Sequence, residues 1–249
     1  MTGYDACMSS RPCRFLAVAF VCIFAAGEAW PQDAGSVALA NLSSTQIVEQ
    51  MQRHNQAQSD GLKQYKALRH YQVEYKGFPS NLVAKMDVQV KYDALSGKSL
   101  QIVSESGSKF LCEKVLKRAV ESEKEAAQNK GATALTEANY RFHVAGNESL
   151  GGRQAYILDV EPLTASKFLY RGKIWVDGAD FAVVKMETEP AKSPSFWISK
   201  TLIHYTSVRT DHYWLPQIMR SETRVRIGGT AVLTIDYGSY QIGGDTAKR

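Results

Sequence analysis

The chain has 249 residues, 44% of them hydrophobic, and a formal net charge of +5. That length and apolar content suffice for one domain with a sizeable core. The charge is too small and too evenly spread for a nucleic-acid-binding face, which needs clustered Lys and Arg.

Arg11 and Arg14 precede an apolar run, Phe15–Ala26, and the small residues Gly27 and Ala29 follow. A membrane-spanning helix needs roughly 20 apolar residues, so this run is too short to cross and has the form of a secretory signal. Cleavage near Ala29 is expected, with an uncleaved anchor as the alternative. The expected location is the periplasm of a Gram-negative-type cell envelope. Removal of residues 1–29 takes Cys7, Cys13 and Cys22 with it, and Cys112 alone cannot form an internal disulfide. The expected organisation is a signal peptide over 1–29, a flexible linker over 30–42, and a single β domain over 43–249.

A helix is expected to begin at Ser43, where Ser43 and Gln46 have capping-box spacing and Leu42 can meet Ile47 as a hydrophobic staple. Ile47, Val48 and Met51 give it a short apolar stripe, and Asp60-Gly61 supplies a stop. From Tyr65 the hydrophobic period becomes two. Leu82, Ala84, Met86, Val88, Val90 and Tyr92 share one face, and the residues between them are mostly polar, the pattern of a strand with one buried and one wet side. Ser96-Gly97 turns the chain into residues 100–103. Helical spacing returns over 109–128 through Phe110, Cys112, Val115, Leu116, Ala119 and Val120, ending near Asn129-Lys130-Gly131.

The strand period then resumes. Tyr140, Phe142 and Val144 alternate with polar residues, Asn147 to Gly152 reads as a turn, and Tyr156, Leu158 and Val160 follow on one face. Two strands, 168–177 and 181–189, flank the turn Asp177-Gly178-Ala179-Asp180; further strands are expected over 196–208, 217–227 and 232–237. About ten strands with short connections favour antiparallel pairing, and a twisted sheet of that size curls rather than staying flat. The expected fold is mainly β with helices: a large curved antiparallel sheet, or incomplete β-barrel, lidded by two or more helices. A closed barrel and a two-sheet sandwich are the alternatives.

The residues that could carry enzyme chemistry each have a plainer structural reading. Ser106-Gly107-Ser108-Lys109 matches the Ser-x-x-Lys of penicillin-recognising acylases, but the accompanying Ser-Asp-Asn and Lys-Thr-Gly elements are missing from the sequence. Cys112 falls on an apolar helical stripe, where an inert buried thiol is expected. His54, His70, His143, His204 and His212 show no metal-ligand spacing. Asp177 and Asp180 flank a turn, where Asp serves local hydrogen bonding. Neither catalysis nor a metal or cofactor is expected.

The segment Tyr170-Arg171-Gly172-Lys173-Ile174-Trp175-Val176-Asp177, with Phe181-Ala182-Val183-Val184-Lys185-Met186, resembles the central hairpin of the outer-membrane lipoprotein-sorting carrier family. Trp214-Leu215-Pro216, the long charged strand after it and the Tyr-rich end are similar to that family's C-terminal half. The resemblance spans 43–243 and is clearest over 168–242. It implies an incomplete barrel whose cavity takes acyl chains, with the helix over 109–128 as lid. The implied function is a periplasmic carrier of lipid acyl chains or lipoproteins in outer-membrane sorting or envelope maintenance, with a membrane acceptor protein as a further partner. The alternative is an envelope-stress sensor or docking domain, and a hydrolase ranks below both. The expected ligand-lining set is Met86, Val88, Val90, Tyr92, Leu116, Phe142, Val144, Leu158, Ile174, Val176, Leu233 and Ile235.

Overall fold

Hydrogen bonding within a helix and pairing between alternating strands together account for nearly every segment seen in a computed structural model, which describes residues 39–166, 168–193, 196, 198–226 and 228–243. These lie within one unit, Val37–Arg249; the other, Met1–Ser36, falls outside the described residues, as do the expected signal peptide and most of the expected linker. No described helix is long and apolar enough to cross a membrane.

Helix α1 (Ser44–Gly61) starts at the expected cap. Ser43 Oγ accepts from Gln46 N at 3.2 Å, and Gln46 Oε1 accepts from Ser43 N at 2.9 Å. Three strands follow: β1 (Gln64–Lys76), β2 (Leu82–Asp93) and β3 (Gly97–Gly107). The amphipathic stretch expected over 109–128 forms α2 (Lys109–Leu111), a π-helical turn (Cys112–Leu116) and α3 (Lys117–Gln128), with a last turn α4 (Lys130–Thr133). The π turn adds a residue per turn where the helix meets the sheet, a local feature that the 3.6-residue period does not reveal.

Seven strands and a short eighth complete the chain: β4 (Tyr140–Leu150), β5 (Arg153–Pro162), β6 (Tyr170–Asp177), β7 (Val183–Pro190), β8 (Ile198–Thr210), β9 (Tyr213–Val225), β10 (Thr230–Asp236) and β11 (Gln241–Gly243). All pairings are antiparallel, in the order β3-β2-β1-β10-β9-β8-β7-β6-β5-β4, with β11 added to β1. The edges β3 and β4 do not pair with each other, so the sheet is open, as the incomplete barrel requires. The eleventh strand, not foreseen, has three residues, too few to carry a period.

Several strand boundaries differ from expectation by a few residues, and three of the differences have a specific physical reason. The turn expected over 147–152 is confined to Gly151-Gly152. A register shift between Val144 and Gly146 rephases β4, and Asn147, Glu148 and Ser149 then pair with Tyr156, Ala155 and Gln154. Strand β7 begins at Val183 rather than 181, because Phe181 is in the left-handed region at φ 56°. Strand β9 begins at Tyr213 and includes Pro216; β10 pairs with it only from Ile218 onward, so the proline sits where one side of β9 has no partner strand.

Register fixes which residues share a face. Ile174, Met186, Tyr205, Met219, Ile235, Tyr71 and Met86 are successive cross-strand partners, so they form one row on one side of the sheet. The opposite side carries His143, Asp159, Lys173, Glu187, His204 and Arg220 in register, and the Lys173–Asp159 ion pair spans 2.7 Å. The first side holds the core.

Candidate functional site

Both helical covers pack on the apolar side, over different strands. The cover made by α2, the π turn and α3 presses Leu111, Cys112, Leu116 and Val120 onto Tyr71, Val73, Ala84, Met86, Val88 and Val90 of β1 and β2. Helix α1 presses Ile47, Val48 and Met51 onto Tyr140, Tyr156, Leu158, Val160, Ile174 and Val176 of β4 to β6. Between the two covers run β7 to β10, whose inward side chains Met186, Ile203, Tyr205, Met219, Ser221 and Leu233 are only half-buried. A strip of half-buried side chains is thus left along the middle of the sheet, with Met186 at the edge of the cluster under α1, Met219 and Leu233 at the edge of the cluster under α3, and Ile203 and Tyr205 in neither. Thr188, on the same side of β7, has a buried hydroxyl with no hydrogen-bond partner.

The twelve residues expected to line a ligand site all face inward, but the structure divides them. Met86, Val88, Val90, Tyr92, Leu116, Leu233 and Ile235 belong to the cluster under α3. Phe142, Val144, Leu158, Ile174 and Val176 belong to the cluster under α1. Met86, Val88, Val90, Leu116, Leu158, Ile174 and Val176 are almost wholly buried, whereas Tyr92, Phe142, Val144 and Leu233 are half-buried. The helix over 109–128 fills the space above β1 and β2, so the half-buried strip lies beside it rather than beneath it.

A charged group sits under the α3 cover. Arg69 occupies an inward position of β1 and is 1% exposed. Its Nη1 donates to both carboxylate oxygens of Glu123 on α3, each at 2.7 Å, and Lys98 Nζ donates to Glu123 Oε1 at 3.1 Å. Tyr71 OH donates to Glu123 Oε2 at 3.3 Å, and the Arg69 guanidinium lies 4.4 Å from the Tyr237 ring centroid. Arg69 Nε is buried without a partner. Burial alone would raise the Glu123 carboxyl, but the charges and hydrogen bonds of Arg69 and Lys98 outweigh it and hold it below its usual range. Burial, with the Glu123 charge adding to it, pushes the Tyr71 phenol up to about 12. Burial raises Tyr205 and Tyr237 as well. These tyrosines therefore stay neutral at physiological pH. Sequence reading missed Arg69, although its place in the odd-numbered inward series of β1 was visible, because a guanidinium is ordinarily assigned to the wet face.

The residues considered for catalysis are placed on structural duty. Ser106 lies in β3 and Lys109 opens α2, so the two ends of the Ser-x-x-Lys match fall on different elements. Ser108 caps α2 by accepting from Leu111 N at 3.4 Å. Cys112 is buried, its Sγ donates to Ser106 O at 3.7 Å, and burial raises its thiol above the usual range, which disfavours the thiolate. His70 pairs with Asp87 at 2.7 Å on the charged side. Asp177 accepts from Ala179 N, Asp180 N and Arg153, stabilising its own turn. Among the described residues no cluster of His, Cys, Asp and Glu could hold a metal ion.

No family model and no curated protein matches the chain. Among solved structures it is similar to an outer membrane lipoprotein-sorting protein domain from Vibrio parahaemolyticus, at 12% identity and TM-score 0.40, covering 81% of this chain and 94% of that one. It is also similar to a LolA superfamily protein from Nitrosomonas europaea, at 11% identity and TM-score 0.38, with 82% and 94% covered. The MucA/MucB complex of Pseudomonas aeruginosa follows at 9% identity and TM-score 0.25, with 80% and 99% covered. The solved structures that this chain is similar to thus include outer-membrane lipoprotein-sorting proteins, the family its hairpin residues resemble.

Proposed function

We propose that this protein is an exported, periplasmic binding or carrier protein that holds the acyl chain of a lipid or lipidated protein. The observation that supports this reading is the half-buried strip over β7 to β10. Ile203 and Tyr205 are inward, half-buried residues that belong to neither cluster, and Met186, Met219 and Leu233 lie half-buried at the edges of the two clusters beside them. Apolar surface left open between two rigid covers is stabilised by a ligand of matching shape and chemistry. An extended hydrocarbon chain is narrow enough to lie along the strip. Burying methylenes contributes about 0.8 kcal/mol each, so roughly ten of them give micromolar affinity after the costs of association. Of the expected ligand-lining residues, Leu233 lies in the strip, Ile174 and Val176 on β6 lie beside it under α1, and Tyr92, Phe142 and Val144 are on strands farther out.

The experiment is titration with a fluorescent fatty-acyl probe. Wild type should bind saturably. Met219→Lys and Ile203→Lys, shown by circular dichroism to stay folded, should bind at least about tenfold more weakly, because a buried ammonium has no partner there. Absence of saturable binding by wild type, or full binding by both folded variants, overturns the reading.

A further inference from the structure

An antiparallel meander gathers its connections at two ends, and here the ends differ in chemistry. One end collects the turns β1–β2 (77–81), β5–β6 (163–169), β7–β8 (191–197) and β9–β10 (226–229), together with the passage from β3 into α2. Phe78, Phe110 and Phe196 stand there at 82%, 63% and 75% exposure, with Leu163 also exposed. Lys76, Lys109, Lys192 and Arg226 are exposed beside them. Among the described residues of these turns there is no Asp or Glu. The nearest acidic group in a connection, Glu137, leads into the edge strand β4 and accepts from Thr45. At the opposite end the turns between strands carry Asp180 and Asp211 and no Lys or Arg.

Contacts run continuously along the Phe-bearing rim. Ser108 N donates to Val83 O at 2.8 Å, which ties the start of α2 and Phe110 to the start of β2. Gly107, at φ 86°, makes this crossing, and a Cβ there would collide with the Val83 carbonyl. Tyr75 OH donates to Phe78 O at 2.9 Å and to Gly228 O at 2.8 Å, which joins the β1–β2 and β9–β10 turns. The Arg226 guanidinium lies 5.1 Å from the Phe196 ring centroid. Four separate connections thus form one rim bearing aromatic side chains and positive charge.

We infer that this rim docks on an anionic lipid bilayer, with Phe78, Phe110 and Phe196 entering the headgroup boundary and Lys76, Lys109, Lys192 and Arg226 facing anionic lipid. Exposed aromatic residues gain by burial at that depth, and basic residues near an anionic surface add attraction that salt screens. Charge complementarity selects the occupant: Lys192 and Arg226 in the turns, with Lys76 and Lys109 at the adjoining element ends, outnumber the acids at the same end, Glu161 of β5 and Glu189 of β7, the latter paired with Arg171, and the aromatic residues among them suit a soft apolar layer. The inference stands on the rim alone and does not depend on acyl binding in the strip.

The test uses the full chain and vesicles of phosphatidylglycerol and phosphatidylcholine, with vesicles of phosphatidylcholine alone as comparison. The apolar run 15–26 is a second membrane-seeking element, so the readout must be local to the rim. Phe78→Trp and Leu95→Trp place a fluorophore at either end, and brominated phosphatidylcholine in the vesicles quenches a tryptophan that enters the bilayer. The added signal of Phe78→Trp over wild type should be quenched by the anionic vesicles and that of Leu95→Trp should not. In the Phe78→Trp background, F110S with F196S, and separately K109E with R226E, should lower this rim quenching about tenfold or more at low salt, with secondary structure unchanged. Equal quenching at the two ends, equal rim quenching by neutral vesicles, or undiminished rim quenching in the folded variants overturns the inference. Absence of rim quenching with any vesicle overturns it as well, and leaves an acidic protein surface as the partner to test next.

Discussion

The two helical covers sit on the same side of one sheet but are fastened by different physics. Helix α1 is held by apolar burial and by neutral hydrogen bonds at its ends, such as Gln58 Nε2 to Trp214 O at 3.0 Å. Helix α3 is held by apolar burial and by Glu123 reaching down to a guanidinium buried in β1. Apolar burial is insensitive to pH and gives way gradually as contacts are lost. A buried ion pair is different: each partner depends on the other, because an unpaired charge in that place is costly. The comparison predicts that α1 behaves as a fixed part of the core, whereas the seating of α3 depends on one charge pair. The π turn lies in the second.

The largest expected effect comes from removing the carboxylate. Glu123→Ala leaves Arg69 buried and without its charge partner and should cost about 4 kcal/mol in a denaturant titration. Hydrogen exchange should show amides of 117–128 losing protection while those of 44–61 keep theirs. Equal loosening of both helices would break the comparison and make the covers one cooperative unit.

Truncation on the other side should give the mirror image. Met51 is fully buried, and Met51→Ala should cost ~3 kcal/mol through lost burial and a residual cavity. Protection should fall over α1 first.

Acid sharpens the contrast without a mutation. The Glu123 carboxyl titrates below its ordinary 4.5 in the folded protein. Its contribution is therefore fully present above that value and is lost as pH falls through the folded value. Protection of α3, corrected for intrinsic exchange rates, should drop below about pH 4.5 before that of α1. In Glu123→Gln this acid-dependent loss should be absent; its persistence would place the titrating group elsewhere.

The smallest effect belongs to the cap. Ser43→Ala removes one hydrogen bond at the start of α1 and should lower stability by about 1 kcal/mol, with fraying limited to the first turn. Loss of protection at α3 in this variant would show that the covers are coupled after all.

Local features of the chain were legible wherever one residue's neighbours in sequence decide its conformation. The Ser43–Gln46 capping box formed as its spacing implies, and so did the helix over 109–128. Alternation from Leu82 to Tyr92 placed Met86, Val88 and Val90 in the core and the residues between them on the polar side. The tight turn at Asp177-Gly178-Ala179-Asp180 followed from Asp and Gly chemistry. Reading failed where a distant partner overrides a local preference. Asn147, Glu148 and Ser149 look like a turn, yet pairing with β5 keeps them in a strand. Phe181 looks like the start of a strand, yet the backbone there takes a left-handed conformation.

The sequence by itself determined the period of each element, the inward parity of its residues and the break between helix and strand, because these depend on neighbours within a few positions along the chain. It could not determine which strands meet. Pairing of β1 with β10 joins residues such as Tyr71 and Ile235 across most of the chain, and that register, together with the open edges β3 and β4, decides where α1 and α3 land. The half-buried strip over β7 to β10 and the gathering of Phe78, Phe110 and Phe196 on one rim follow from the same closure. Arg69 shows the limit most clearly. Its parity says core and its charge says solvent, and only Glu123, brought over it by a helix 54 residues further along, makes the buried position tolerable.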